Sequence, residues 1–236
     1  MADSPFLGFI VLGLVVAGFA VALTAILLAV KRRDETRKRA HLDAGFTAAP
    51  GAVEELAGRL HSLHHYWSSR HQVRDPWRKS EWGYELYLFD VRTRHGKSTT
   101  LERDHAIVVS RDLALPRFLL GPKASGDGLM AALANKAIAW VASHFAAQAS
   151  FPEQQEFDSK LFLFGEDEAD LRRFFDANRR GRLAEIEHLQ VAGSGDGFFF
   201  APAPYRSADR SDREKLEQRL QDILEDARRL FDILKS

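Results

Sequence analysis

Tyr84-Glu-Leu-Tyr-Leu-Phe-Asp-Val-Arg-Thr-Arg94, then His95-Gly96-Lys97, then Ser98 through Ser110: this stretch decides the fold. Its first part is dense in aromatic and β-branched side chains, which suit a pleated, half-buried surface. His95-Gly96-Lys97 has turn chemistry, and the chain returns to Ile107-Val108-Val109, so the segment reads as a β-hairpin. A sheet therefore organises the domain, and the flanking segments must cover it.

Upstream, Val53, Leu56, Leu60, Leu63 and Trp67 recur at steps of three and four, which predicts an amphipathic helix that Arg74-Asp75-Pro76 brings to an end. Downstream, Leu115 to Pro122 is a short extended segment between prolines. Gly126-Asp127-Gly128 opens a second helix with Met130, Leu133, Ala137, Val141 and Phe145 on one face. Phe157 to Phe164 reads as a strand. Glu166 to Asn178 reads as a helix burying Leu171, Phe174 and Phe175, with Gly181 as its C-terminal cap. Arg172, Arg173, Arg179 and Arg180 read as a solvated face that complements the helix dipole. Ile186 to Val191 and Phe198 to Ala201 form a second hairpin through Gly193-Ser-Gly-Asp-Gly197.

Ser211-Asp-Arg-Glu214 matches a capping box, and Leu216, Leu220, Ile223, Ala227, Leu230 and Leu234 follow at steps of four and three. The stripe is short for an independent coiled coil, and Leu224 and Phe231 widen it, so this helix is expected to dock on its own domain. The order α-ββ-α-β-α-ββ-α gives an α+β fold: a mostly antiparallel sheet packed by amphipathic helices, over residues 51–236.

Ahead of the domain, Phe6 to Val30 contains no charged residue and only one polar one, Thr24. As a helix it would run roughly 37 Å against a hydrocarbon core of about 30 Å. It is too long for the apolar part of a signal peptide, and no basic segment precedes it. Residues 6–30 are therefore expected to form one transmembrane helix after a tail of residues 1–5. Lys31-Arg-Arg-Asp-Glu-Thr-Arg-Lys-Arg39 carries six cations and two anions, a net of +4, while the N-terminal flank has only Asp3. That asymmetry sets the N-terminus outside and the domain in the cytoplasm. The segment 31–50 reads as a basic juxtamembrane linker, with Lys31, Arg32, Arg33, Arg37, Lys38 and Arg39 against anionic lipid headgroups.

The chain's formal charge is zero, so removing the −1 of residues 1–30 and the +4 of 31–39 leaves −3 on the remainder. Such a domain lacks the electrostatic footprint of a nucleic-acid binder. There is no cysteine, which excludes disulfides, thiolate nucleophiles and cysteine metal sites.

Leu88-Phe89-Asp90 closing a strand, the Leu115-Pro116-Arg117-Phe118-Leu119-Leu120-Gly121-Pro122 segment, and Phe157-Asp158 leading through Phe162 to Gly165 and Asp167 occur in this order behind the apolar helix. The arrangement resembles a group of bacterial single-pass membrane proteins that carry a cytoplasmic domain of unknown function. That resemblance implies the bacterial inner (plasma) membrane and lends no functional residue. The excess of arginine (24) over lysine (9) fits a GC-rich bacterial source.

No motif completes a catalytic, cofactor or metal site. Gly96-Lys97-Ser98 resembles the end of a phosphate-binding loop, but Val91 stands where the first glycine is needed, and the stretch joins two strands rather than a strand and a helix. Gly193 to Gly197 likewise runs into a strand. His61, His64, His65 and His71 are the one histidine cluster, without acidic or cysteine partners nearby. Asp90, Asp104 and His105 would make an acid–base group if the hairpin set them side by side, yet no nucleophile turn accompanies them. The favoured reading is a membrane-tethered interaction or regulatory domain without catalytic activity. The alternative is a membrane-linked enzyme or small-ligand domain, in which Asp90, His95, Asp104 or His105 converge in a pocket near the 84–110 hairpin.

Overall fold

The computed structural model describes residues 5–63, 71–96, 98–123, 145–186, 190–201 and 213–235. In chain order these form helix α1 (Pro5–Asp43), strand β1 (Thr47–Ala48), a 3-10 turn (Pro50–Ala52), α2 (Val53–Leu63), β2 (His71–Glu81), β3 (Tyr84–His95), β4 (Ser98–Val109), β5 (Leu115–Pro122), β6 (Ala147–Ala149), α3 (Gln155–Lys160), β7 (Leu161–Gly165), α4 (Glu168–Phe174), α5 (Ala177–Ala184), β8 (Gln190–Gly195), β9 (Gly197–Ala201) and α6 (Arg213–Leu234). The strands make a single sheet in the order β1-β2-β3-β4-β9-β8-β5-β7-β6, every neighbouring pair antiparallel.

The sheet is apolar on both faces, because alternate residues of each strand point to opposite sides. Leu86, Leu88, Ala106, Val108, Phe198 and Phe200 belong to one core, under α1, α3–α5 and α6. Tyr87, Phe89, Val91, Ile107 and Phe199 belong to the other, under Leu56, Leu60 and Leu63 of α2. The α+β class, the 84–109 hairpin and the docking of the last helix match the expectations from sequence. In α6, Leu216, Leu220, Ile223, Ala227, Leu230 and Leu234 are all buried within the domain, together with Phe231 and Ile233.

Several boundaries differ. Arg74-Asp75-Pro76 is not a break but a bulge inside β2: the register shifts between Arg74 and Trp77, and Asp75 takes φ 47°. Pro76 is tolerated there because its missing donor costs no ladder bond, while its carbonyl accepts from Ala49 N at 2.8 Å. Phe157 to Lys160 is helical rather than extended, and Phe157 reaches the core from α3. The expected helix over 166–178 is two, because a second cap interrupts it. Asp167 accepts from Asp170 N at 3.0 Å and Asp176 accepts from Arg179 N at 2.8 Å. Gly181 therefore lies inside α5 and caps nothing.

Arg179 and Arg180 are not solvated. The Arg180 guanidinium lies 4.0 Å from the Phe151 ring centre and donates to Gln154 Oε1 at 2.7 Å and to the Phe175 carbonyl at 3.0 Å. Arg179 donates to the Phe174 carbonyl at 2.7 Å and to that of Ile233 at 3.2 Å, bridging α4 to the end of α6. Ile186 lies in the bend after α5 rather than in a strand, and Gly193 sits within β8 rather than in its loop. It faces Phe118 on β5, whose ring occupies the space that a Cβ would need. The helical face expected at Met130 to Val141, and the Trp67 end of the first amphipathic helix, lie outside the described residues.

The segment 31–50 is not a linker through most of its length. α1 continues without a break to Asp43, and Ala40 and His41 are fully buried. A charged sequence of good helix formers gives the backbone no reason to stop at Val30. α1 packs directly on α6, so the first and last helices brace each other over the sheet. Side chains of α1 are described at Phe19 and from Ala22 onward; among the described residues no helix is long and apolar enough to cross a membrane. Most of Phe6 to Val30 lies ahead of that set.

Truncating Leu220 to Ala opens a cavity where α6 meets the sheet and is expected to cost ~2–5 kcal/mol. The loss should not change with protein concentration in chemical denaturation, since the leucine contacts its own domain. A concentration-dependent midpoint would place it at a subunit seam instead.

Candidate functional site

The chemistry-bearing cluster of this chain lies where α1 meets the β3–β4 hairpin. Asp90 follows Phe89 on β3, and its side chain points to the α1 face. Opposite it, the β3–β4 register shifts between Phe89 and Val91, and Asp104 adopts φ 60°. Aspartate tolerates this left-handed conformation better than a branched residue. The bulge turns Asp104 toward Asp90, and its amide donates to Asp90 Oδ1 at 3.3 Å. Two carboxylates thus share a site with 2% and 6% of their side-chain surface exposed.

Arg37, one helical turn before His41 on α1, closes the site. Nη1 and Nη2 donate to Asp90 Oδ2 and Oδ1, both at 2.6 Å, and Nη2 also donates to Asp104 Oδ1 at 3.1 Å. The paired contacts to Asp90 are the fork geometry in which guanidinium binds carboxylate most strongly. Burial alone would lower the Arg37 pKa, but the bonds and charges of Asp90 and then Asp104 outweigh it and raise it. The cation is permanent.

One helical turn on, His41 is fully buried. Its ring stacks on Trp77 at 4.8 Å and meets Phe46 edge-on at 5.9 Å. Nδ1 lies 2.8 Å from the Arg37 carbonyl, so Nδ1 carries the proton and donates; Nε2 has no hydrogen-bond partner among the described residues. Burial holds the imidazole pKa below its ordinary value. The Arg37 charge pushes the same way, against the Arg37 carbonyl and the two aspartates.

The expected acid–base group is therefore only half assembled. Asp90 and Asp104 do meet, but Arg37 occupies the space between them. His105 points to the opposite face of the sheet, between Phe89 at 6.0 Å and Phe199 at 5.5 Å, with Nε2 3.3 Å from Glu102. The His95 side chain lies outside the described residues. The cluster can hold a helix on a sheet; it offers no nucleophile.

Among the described residues, the other singled-out motifs take part in turns and ion pairs. Gly96 turns the first hairpin at φ 58°. In the second, Asp196 fills the turn with a carboxylate bound by Arg59 of α2 at 2.7 Å and 3.3 Å, which holds its pKa below the usual carboxylate range. That loop presents an anion and does not cradle one. His61 is exposed and His71 half-buried, while His64 and His65 lie outside the described residues. Among the described residues no group of three or more histidine, aspartate and glutamate side chains is placed to hold a metal. At the far end of β3 from its hairpin tip, a cavity of about 540 Å³ is lined by Tyr84, Phe231, Asp232 and Lys235 beside the exposed Trp82. Burial and then Glu81 push the Tyr84 hydroxyl pKa up to about 12.

From the sequence Arg37 is expected among the headgroup-facing cations, whereas the structure turns it inward onto Asp90 and Asp104; His41 carries no signal of its own. The available signal was Asp90 itself: a carboxylate between Phe89 and Val91 on a buried strand demands a cation from somewhere.

Replacing Arg37 with Met leaves both carboxylates buried without a counter-charge and is expected to cost ~3–5 kcal/mol. Adding Asp90→Asn and Asp104→Asn should recover part of that loss in denaturant titration, whereas a defect of packing alone would not respond. His41 predicts a pH dependence. Its native pKa lies below the unfolded value of about 6.5, so its contribution is whole above that pH and lost as pH falls below it. Thermal unfolding between pH 8 and pH 5 should show a steeper decline for the parent than for His41→Phe.

No family model matches the chain, and no curated protein sequence matches it. Among solved structures it is similar to the crystal structure of the mycobacterial trehalose monomycolate transport factor A, TtfA, at a TM-score of 0.46 and 11% identity, over 86% of this chain and 94% of that one. A likeness of that size lends this chain neither fold nor role.

Proposed function

We propose that this chain is a membrane-tethered, non-catalytic interaction or regulatory domain. Residues 6–30 of α1 cross a bacterial plasma membrane once, with the N-terminus outside and the α+β domain in the cytoplasm. The observation that carries this reading is the continuity of α1 from Pro5 to Asp43, with its last turns fixed in the core by Arg37 and His41. A helix whose N-terminal part is uncharged over 25 residues and whose C-terminal part is a structural member of a folded domain is suited to holding that domain at a membrane. Arg37 lies seven residues past Val30, roughly 10 Å along the helix axis. The domain therefore stands close to the headgroup layer.

In this arrangement Lys31, Arg32, Arg33, Lys38 and Arg39, all exposed, face anionic headgroups. Arg37 is turned the other way, into its two aspartates. A non-catalytic role is favoured because the carboxylates most suited to acid–base work are bound to that arginine. No separate observation favours an enzyme.

A reporter that works only in the cytoplasm, fused after Ser236, should be active, and a reporter that works only in the periplasm should be silent there. The opposite pattern would overturn the orientation. Changing Lys31, Arg32, Arg33, Lys38 and Arg39 to Gln, with Arg37 kept, should give a mixture of orientations.

A further inference from the structure

We infer that the tip of the β3–β4 hairpin is a second membrane contact, at which Arg92, Arg94 and Leu101 meet anionic lipid headgroups. This rests on the tether proposed above and adds a surface of the folded domain to it.

The direction of the hairpin follows from the latch. Arg37 sits over Asp90, and His41 stacks on Trp77, whose partner on β3 is Leu88. Going from His41 back to Arg37 covers four helical residues, about 6 Å. The matching step on β3, Leu88 to Asp90, covers two strand residues, about 6.6 Å. Equal advances mean that α1, followed toward its apolar end, runs alongside β3 followed toward its tip. From this level Val30 is roughly 10 Å away along α1, and His95 is roughly 17 Å away along the strand. Even with a tilt between helix and strand, the hairpin reaches as far as the last apolar residue of α1.

The tip carries the chemistry that a headgroup layer selects. Arg92 and Arg94 alternate with Asp90 on β3 and so share the α1 face; both are exposed, and neither forms an ion pair among the described residues. Leu101 is the register partner of Arg92 and is 46% exposed. Across the gap, Lys31, Arg32 and Arg33 on α1 are exposed as well. Arg37 offsets one of the two charges of Asp90 and Asp104, and both carboxylates are buried beneath α1 rather than presented at the tip. Two arginines and a leucine at the free end of a hairpin, level with the base of an apolar helix, form a docking point for a negatively charged bilayer surface. The contact would restrain the tilt of the domain against the bilayer surface, which one helix alone leaves free.

The absence of cysteine makes the test direct. Single variants Leu101→Cys, Arg33→Cys and Trp82→Cys of the full chain take one nitroxide label each and are reconstituted in phosphatidylcholine vesicles with or without phosphatidylglycerol. In phosphatidylglycerol vesicles the label at 101 should be shielded from a water-soluble nickel complex, as the label at 33 is, while the label at 82, at the opposite end of β3, stays accessible. Without phosphatidylglycerol, or in high salt, the shielding at 101 should fall. Arg92→Gln and Arg94→Gln should each lower the docked-to-undocked ratio about fivefold, the equivalent of ~1 kcal/mol per cation. Accessibility at 101 equal to that at 82, with 33 shielded, overturns the hairpin contact and leaves the tether standing. Accessibility at 33 equal to that at 82 overturns the tether itself. Shielding at 101 that ignores phosphatidylglycerol and salt overturns the headgroup chemistry.

Discussion

Asp90 and Asp104 are buried side by side on one face of the sheet, and among the described residues no side chain of their own strands pairs with them. Left alone, such a pair would cost several kcal/mol through desolvation and mutual repulsion. The counter-charge comes from Arg37, 53 and 67 residues away in sequence, on α1. The rest of the α1 face depends on this contact. With Arg37 in place, His41 drops onto Trp77, Phe46 enters the core, and α6 finds in α1 a second surface to pack against. A buried ion pair is weak evidence for stability in itself. Its consequence here is positional, since apolar contacts alone would tolerate several helix registers and a bidentate guanidinium tolerates one.

Much of the domain was legible because it obeys simple periods. The 84–109 hairpin alternates about a sheet with two covered faces, and the last helix shows a stripe too broad for a seam. The structure departs from the period where a local device outweighs it. Asp75 and Pro76 look like a break and are a bulge, because β2 has partners on both sides that survive one irregular step. Asp176 inserts a cap into what reads as one helix, and the turn this creates brings Arg180 over Phe151. Gly193 looks like a loop residue until its cross-strand neighbour is known to be Phe118. The bulge and the neighbour of Gly193 lie beyond a window of ten residues; the Asp176 cap is local, but what it does for Arg180 and Phe151 is not.

The candidate site was the least legible part, and for one reason. Lys31 to Arg39 has the composition of a solvated flank, and sequence gives no sign that one of its six cations faces inward. Pairing between residues so far apart is a property of the tertiary fold. The same holds for the polarity of the domain along β3. One end carries the hairpin tip with Arg92 and Arg94, the other the exposed Trp82 beside the cavity at Tyr84 and Phe231. On the proposed topology the first end faces lipid and the second faces the cytoplasm, where a protein partner would approach.

Because α1 has no joint between its apolar part and the latch, the two ends are locked in phase. Each residue of an α-helix turns the chain by roughly 100° and advances it about 1.5 Å. Adding one alanine between Val30 and Arg37 would swing the whole domain by that angle around the helix axis. Seven would bring it back to within about 20° while lifting it roughly 10 Å. The spacer thus behaves like a screw thread, whose pitch couples the domain's height to its heading. Any torque on the apolar part would arrive undamped at the two aspartates.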